Sequence, residues 1–267
     1  MIEQSFSIYH LEYFLAVVAR VMGVMAFAPI FGNSLTVTRR VRIFLGLAVS
    51  MVIVTAHPYT PLPYTTFLGY TVILIKELVV GVTLGFLANI TLSIISMAGQ
   101  FIDREMGFSM VSNFDQTFNT QTTITAEFYS MLVMVMMLIS DMHYFILSAL
   151  SDSFELIPLG NVTIDSGTVY DTMISYMTDY FVIALRISLP ILIAIMLLNM
   201  VLGILAKTAP QMNMFVVGIQ LKILCGFAVL MIIIEFTPGI VDFVYTEMQN
   251  IVYQVMKAFY MPQYRLR

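Results

Sequence analysis

Charge is what this chain has least of. Only 10% of its 267 residues are Asp, Glu, Lys or Arg, and 60% are hydrophobic, against roughly 25% charged and 45–50% apolar in soluble domains. With a mean hydropathy of +0.92, that balance excludes a soluble globular domain and implies an integral membrane protein. A single cysteine, Cys225, rules out an intrachain disulfide; lying in an apolar run, it reads as a small core hydrophobe. The three histidines, His10, His57 and His143, are scattered and show no metal-ligand spacing. There is no G-x-S-x-G elbow, H-E-x-x-H helix or P-loop, residues 107–111 missing the elbow by its last glycine. With no close carboxylate pair either, catalysis and cofactor chemistry have no candidate residues. The net charge of −4 is spread without a basic stripe, which argues against nucleic acid and gives no polybasic membrane-surface motif. No Lys or Arg precedes the first apolar run, and Pro29 follows Ala26-Phe27-Ala28, so the first helix is expected to stay in the mature protein.

What the chain does have is six apolar runs, at about 11–30, 41–56, 67–98, 124–139, 180–206 and 215–236, with turn residues between them. A crossing needs about 20 apolar residues, so the expectation is an all-α membrane protein of about six long, kinked helical segments in one polytopic domain, 1–267. The second and fourth runs are short and the third is long, which predicts tilted or broken helices. The connections after the first, third and fifth runs carry Arg39, Arg40, Arg42, Arg104 and Lys207, whereas 57–66 and the acidic stretch 141–179 carry no Lys or Arg. The positive-inside rule places the latter two outside. Simple parity then puts the C-terminus outside too, yet that tail holds Lys257, Arg265 and Arg267. The conflict implies that one run does not cross.

Ionisable residues nevertheless interrupt the runs: Arg20, Lys76, Glu77, Glu127, Arg186, Lys222 and Glu235. Each costs about 2.5–3.5 kcal/mol at the centre of a lipid-facing helix, so seven would oppose insertion by roughly 20 kcal/mol. Most must therefore snorkel, pair, or face protein or water. Together with Asn89 and Asn199 they exceed what a six-helix interior would hold, which favours partner subunits or an aqueous path. Gly81 and Gly85 form a G-x-x-x-G spacing that lets another helix approach closely. The 22 methionines supply flexible packing side chains.

Residues 99–123 suit neither lipid nor an ordinary surface loop. Eleven of the 25 are Ser, Thr, Asn or Gln, yet Phe101, Met106, Phe108, Met110, Phe114 and Phe118 recur among them, framed by Gly99 and Gly107. Two readings fit: a deformable constriction inside a protein pore, where non-helical backbone is tolerated at membrane depth, or an extramembrane loop packing its aromatics on helix ends.

From end to end, the chain resembles the FliR/SctT family, inner-membrane export-gate subunits of flagellar and virulence type III secretion. Three blocks carry the resemblance: Lys76-Glu77, Gly81, Gly85-Phe86, Gly99-Gln100-Phe101-Ile102-Asp103, Met106-Gly107-Phe108-Ser109-Met110 and Phe114-Asp115; then Ser153-Phe154-Glu155-Leu156-Ile157-Pro158-Leu159-Gly160; then Asn199-Met200-Val201-Leu202-Gly203 with Ala209-Pro210-Gln211-Met212-Asn213-Met214-Phe215 and Gly218. The resemblance implies helical hairpins, the part at about 1–175 similar to a FliP-type subunit and that at about 176–267 to a FliQ-type subunit. It implies assembly with FliP-type, FliQ-type and FlhB-type membrane subunits and the FlhA-type export ring, in the inner membrane at the flagellar basal body, conducting unfolded protein substrates. It further implies a pore plug of Met106, Gly107, Phe108, Ser109, Met110, Val111, Ser112, Asn113, Phe114, Asp115 and Phe118. A hairpin tip would hold Lys207, Pro210, Gln211 and Asn213. Candidates for polar pairing between subunits are Arg20, Lys76, Glu77, Glu127, Arg186, Asn199, Lys222 and Glu235. The rival readings are a self-contained secondary transporter or channel using the intramembrane charges, and an intramembrane enzyme.

Overall fold

A computed structural model describes residues 8–29, 38–108, 123–162, 166–209, 211 and 213–260. Among them are eight α-helices and no strand: α1 (Ile8–Phe27), α2 (Arg39–Ala56), α3 (Phe67–Met106), α4 (Ile124–Ile139), α5 (His143–Leu156), α6 (Ser166–Thr208), α7 (Met214–Ile233) and α8 (Thr237–Tyr260), the last two joined by a 3₁₀ turn, Ile234–Phe236. His10–Phe27, Phe67–Met106, Tyr170–Thr208 and Val216–Phe259 are long and apolar enough to cross a membrane, and α4 with α5 makes a fifth span if that pair is counted as one.

All six apolar runs form helices, and two further helices accompany them. The acidic stretch 141–179, expected as a solvated connection, contains α5 and the start of α6, and the C-terminal tail forms α8. Both are one-sided. In α5, Phe145, Ile146, Ala149, Leu150, Ser153 and Phe154 are buried at helical spacing, while in α8 Val241, Val244, Met248, Ile251, Val252, Val255, Met256 and Phe259 form the buried stripe. Their polar faces break up any long apolar run.

The chain forms two compact units, 1–91 with 141–176 and 246–267, and 92–140 with 177–245. It passes from one to the other within α3, between α4 and α5, within α6 and within α8, so each unit is discontinuous in sequence.

The first unit is organised around a close crossing of α1 and α3. A Cβ on Gly81 would overlap the carbonyl oxygen of Arg20; one on Gly85 would lie 2.5 Å from the Val24 oxygen, and one on Gly23 2.7 Å from the Val82 nitrogen. The G-x-x-x-G spacing thus receives a helix of the same chain, with backbones touching as small residues permit in membranes. Val24, Leu84, Ala88, Ile146, Leu150 and Val252 close the interior between α1, α3, α5 and α8. α2 packs on α1 through Gly46, which lies against Met22. Beyond α5, Lys76 donates to the Val162 carbonyl at 3.2 Å, and Tyr253 donates to the Asp152 carboxylate at 2.8 Å.

The second unit centres on Ile94 and Ala98 of α3 against Ile183 and Ala184 of α6, with Met97, Phe101, Tyr180 and Ile187 around them. Tyr180 donates to the Ser93 carbonyl at 3.0 Å, using the phenol where the ring is packed. Gly99 admits Ala126 of α4, and Gly226 of α7 admits the Met106 side chain. α6 contains Pro190, which cannot donate to the carbonyl of Arg186 four residues earlier.

Candidate functional site

Asp103 organises the root of the segment expected to form the plug. It is fully buried near the end of α3, and its Oδ2 accepts from the backbone N–H groups of Thr125 (2.9 Å) and Ala126 (3.2 Å). These are donors of the first turn of α4, which intrahelical bonding leaves unsatisfied. The local N-cap residue, Thr123, makes no side-chain cap bond, so a carboxylate from α3 takes the capping role and adds negative charge at the positive end of the helix dipole. Glu127 in the same turn acts in the same sense.

The exit from α3 is equally defined. Gly107 has φ +90°, the left-handed conformation that ends helices and suits glycine. Its N–H bonds to the Asp103 carbonyl at 3.1 Å, and that of Phe108 to the same oxygen at 2.9 Å. The Phe108 ring meets Phe227 of α7 edge-on, centroids 5.9 Å apart. Phe227 in turn lines an apolar cavity of about 330 Å³ with Ile124, Phe128, Tyr129, Leu230 and Met231. The two ends of the intervening segment are therefore tied together by one carboxylate, Met106 is buried, and Gly107 and Phe108 lie at its start. Ser109, Met110, Val111, Ser112, Asn113, Phe114, Asp115 and Phe118 lie outside the described residues.

Removing the clamp should be measurable. Carboxylate hydrogen bonds contribute about 1.5–3 kcal/mol, so Asp103→Ala is expected to lose at least about 2 kcal/mol, whereas Asp103→Asn, which keeps an acceptor oxygen, loses less. Thermal unfolding in detergent should rank wild type above Asp103→Asn above Asp103→Ala. An unshifted midpoint for the alanine variant would overturn the clamp.

The polar pairing candidates divide. Arg20 and Glu77, expected to pair with other subunits, are both fully buried and bound to one another. Arg20 Nε donates to Glu77 Oε2 at 2.7 Å, and Nη2 lies 2.5 Å from the same oxygen. The α1–α3 backbone contact brings the two side chains within reach, which is why no second subunit is needed. The rest of the guanidinium is also used: Nη1 donates to the Ser153 carbonyl (2.7 Å) and Nη2 to that of Ile157 (3.0 Å), with the Phe154 ring centroid 4.4 Å from Cζ. Arg20 thereby caps the C-terminus of α5 with positive charge. Glu77 Oε1 accepts from the Gly160 N–H at 3.0 Å, pinning the turn that follows α5, and Lys76 is engaged nearby through Val162.

In the second unit, by contrast, Glu127, Arg186, Asn199 and Glu235 are exposed and Lys222 is half-buried. At the hairpin tip Lys207 and Gln211 are exposed, Asn213 caps α7 by accepting from the Val216 N–H at 3.4 Å, and Pro210 lies outside the described residues. Asp103 belongs to a block that carries the family resemblance but is not among the candidate site residues, because only the distant partner turn reveals its role. Among the described residues no group of three or more His, Cys, Asp or Glu could hold a metal ion.

Four or five apolar spans, a buried Arg20–Glu77 ion pair and polar side chains left exposed on membrane-length helices define a polytopic all-α membrane protein. A family model described as "Bacterial export proteins, family 1" matches residues 11–248, and the chain belongs to that family. It is similar to the flagellar biosynthetic protein FliR of Pectobacterium carotovorum subsp. carotovorum, 27% identical over 239 residues, covering 89% of this chain and 90% of the relative. The FliR of Bacillus subtilis (strain 168) is 32% identical over 168 residues, 61% and 64% of the two chains. The surface presentation of antigens protein SpaR of Shigella flexneri is 27% identical over 160 residues, 60% and 61%.

Proposed function

We propose that this chain is a structural, pore-forming subunit of a flagellar-type type III protein-export gate in the bacterial inner membrane, working with FliP-type, FliQ-type and FlhB-type subunits and an FlhA-type ring to pass unfolded substrates. Membership of an export family over residues 11–248 carries the reading, and similarity to flagellar FliR proteins over about nine-tenths of the chain favours flagellar cargo. The second unit supports partners of this kind. Arg186 and Asn199 stand exposed on α6, and Glu235 on the turn after α7, so groups that oppose burial in lipid by several kcal/mol together are available to pair with other subunits.

In this reading residues 107–118 obstruct the channel at rest and move aside for substrate. The Asp103 clamp holds both ends of the obstruction on one anchor, so its middle moves while its roots stay placed.

Native mass spectrometry of the tagged chain, co-expressed with its neighbouring genes, tests the assembly. A single copy bound to several small helical membrane proteins is expected; a stable monomer or homodimer would move the assignment to a self-contained transporter. Deleting 107–118 should raise membrane permeability to ions with assembly intact. Unchanged permeability in an intact assembly would sink the plug.

A further inference from the structure

α2 carries an arrangement that the export-gate reading does not use. From residue 13 to residue 76 the sequence contains no Asp or Glu, and α2 opens with Arg39, Arg40 and Arg42 in its first turn. Arginines there lie at the positive end of the helix dipole, where the field attracts an anion. Arg39 and Arg40 are exposed, and neither has a hydrogen-bond or ion-pair partner among the described residues.

The remainder of the helix is apolar and faces two ways. Gly46, Ser50 and Ile53 are buried, Gly46 lying against Met22 of α1. On the opposite side Val41, Phe44, Met51 and Val52 are 50%, 73%, 67% and 65% exposed, and no ionisable residue occurs from 43 to 56. The uncharged part of the helix, 43–56, at 1.5 Å per residue spans about 21 Å, so that with the arginine turn at one boundary it lies within the ~30 Å hydrocarbon thickness of a bilayer. Past the far end stands Tyr59, exposed and stacked on His10 at a centroid distance of 4.8 Å, an aromatic group suited to the opposite headgroup region.

We infer that α2 is a lipid-facing helix whose Val41, Phe44, Met51 and Val52 lie against acyl chains while Arg39 and Arg40 bind the phosphodiester of an anionic phospholipid headgroup. Charge complementarity selects this occupant. A bilayer presents phosphate and hydrocarbon at fixed, adjacent depths, matching two unpartnered guanidiniums followed by an uncharged apolar face. The inference rests on the geometry of α2 and stands whether or not the chain is an export-gate subunit.

The test uses the full chain with its co-purifying partners, Cys225 changed to Ser, and one cysteine carrying a fluorophore at Phe44→Cys or Met51→Cys, or at Ser50→Cys as the buried control. In mixed phosphatidylglycerol and phosphatidylcholine vesicles with one or the other lipid brominated, quenching is expected at 44 and 51 and not at 50. At 44 it should favour phosphatidylglycerol by roughly five-fold per arginine, a preference lost in Arg39→Gln/Arg40→Gln and kept in Arg39→Lys/Arg40→Lys. Absence of quenching at 44 and 51 would mean that a protein helix covers this face. Quenching without headgroup preference, or a preference that survives the glutamine pair, would also overturn the proposal. Retention of phosphatidylglycerol by the glutamine variant in native mass spectrometry provides an independent readout, with loss expected and undiminished retention contrary.

Discussion

Replacing Arg20 with leucine is expected to remove about 3–5 kcal/mol of stability, enough to abolish a marginally stable fold, because it leaves a buried carboxylate without its counter-charge. The geometry makes the loss larger than for an isolated pair. Arg20 also satisfies the carbonyls of Ser153 and Ile157, so its removal exposes the C-terminus of α5 as well as Glu77. Glu77→Leu has the complementary defect, a buried guanidinium with one anionic partner removed and the Gly160 N–H left without its acceptor. The double variant Arg20→Leu/Glu77→Leu should recover much of the loss, since replacing both members of a buried pair by apolar groups is often close to neutral. Recovery stops short of wild type because the backbone groups that the pair satisfied remain unmet. Unfolding in detergent, followed by circular dichroism against added denaturing detergent, checks the set. The expected order is wild type, then the double variant, then either single variant. Equal stability of all four would show that the pair contributes nothing, and a double variant whose loss equals the sum of the single losses would mean that the two side chains act independently of each other.

That pair also shows where sequence reading stops. Charges inside apolar runs announce themselves, and Arg20 and Glu77 were identifiable as groups requiring cover. Their partners were not, because the pairing spans 57 residues and depends on how closely two helices approach. The G-x-x-x-G spacing indicated a close approach without naming the helix that makes it. Helices apolar on all sides, such as α7, stand out as runs and were found within a few residues. α5 and α8 bury one stripe and solvate the other, so their signal is a 3.6-residue period rather than a run, and a reading by run length passes over them. Asp103 is the extreme case. Its function is defined by the N–H groups of Thr125 and Ala126, 22 and 23 residues away across a glycine-terminated helix end, and no local pattern distinguishes such a cap from a solvated acid. The export-family resemblance was legible because it is carried by short blocks spread over the chain, and the family match over 11–248 accords with that spread.

Gly81→Val should have an effect comparable to loss of the ion pair, by a different route. A Cβ at position 81 would overlap the Arg20 carbonyl oxygen and lie 2.9 Å from the Arg20 carbonyl carbon, so the obstacle is backbone, which cannot rotate away as a side chain does. Relief requires α1 and α3 to separate. Overpacking of a core costs about 1–3 kcal/mol and occasionally more, and separation here also lengthens the Arg20–Glu77 contact that the crossing makes possible, which places the expected loss at or above the top of that range. Gly85→Val meets the same helix one turn on, where a Cβ would lie 2.5 Å from the Val24 oxygen, so the pair of variants reports on one contact. Gly203→Val is the control: nothing lies within 4 Å of its Cβ position, and its exposed helical site should tolerate the change. If Gly81→Val and Gly85→Val unfold at the same detergent concentration as Gly203→Val, the α1–α3 crossing is looser than this geometry and cannot be what brings the buried charges together. If they unfold early while Gly203→Val does not, the glycine spacing in α3 is the feature on which the first unit's polar core depends.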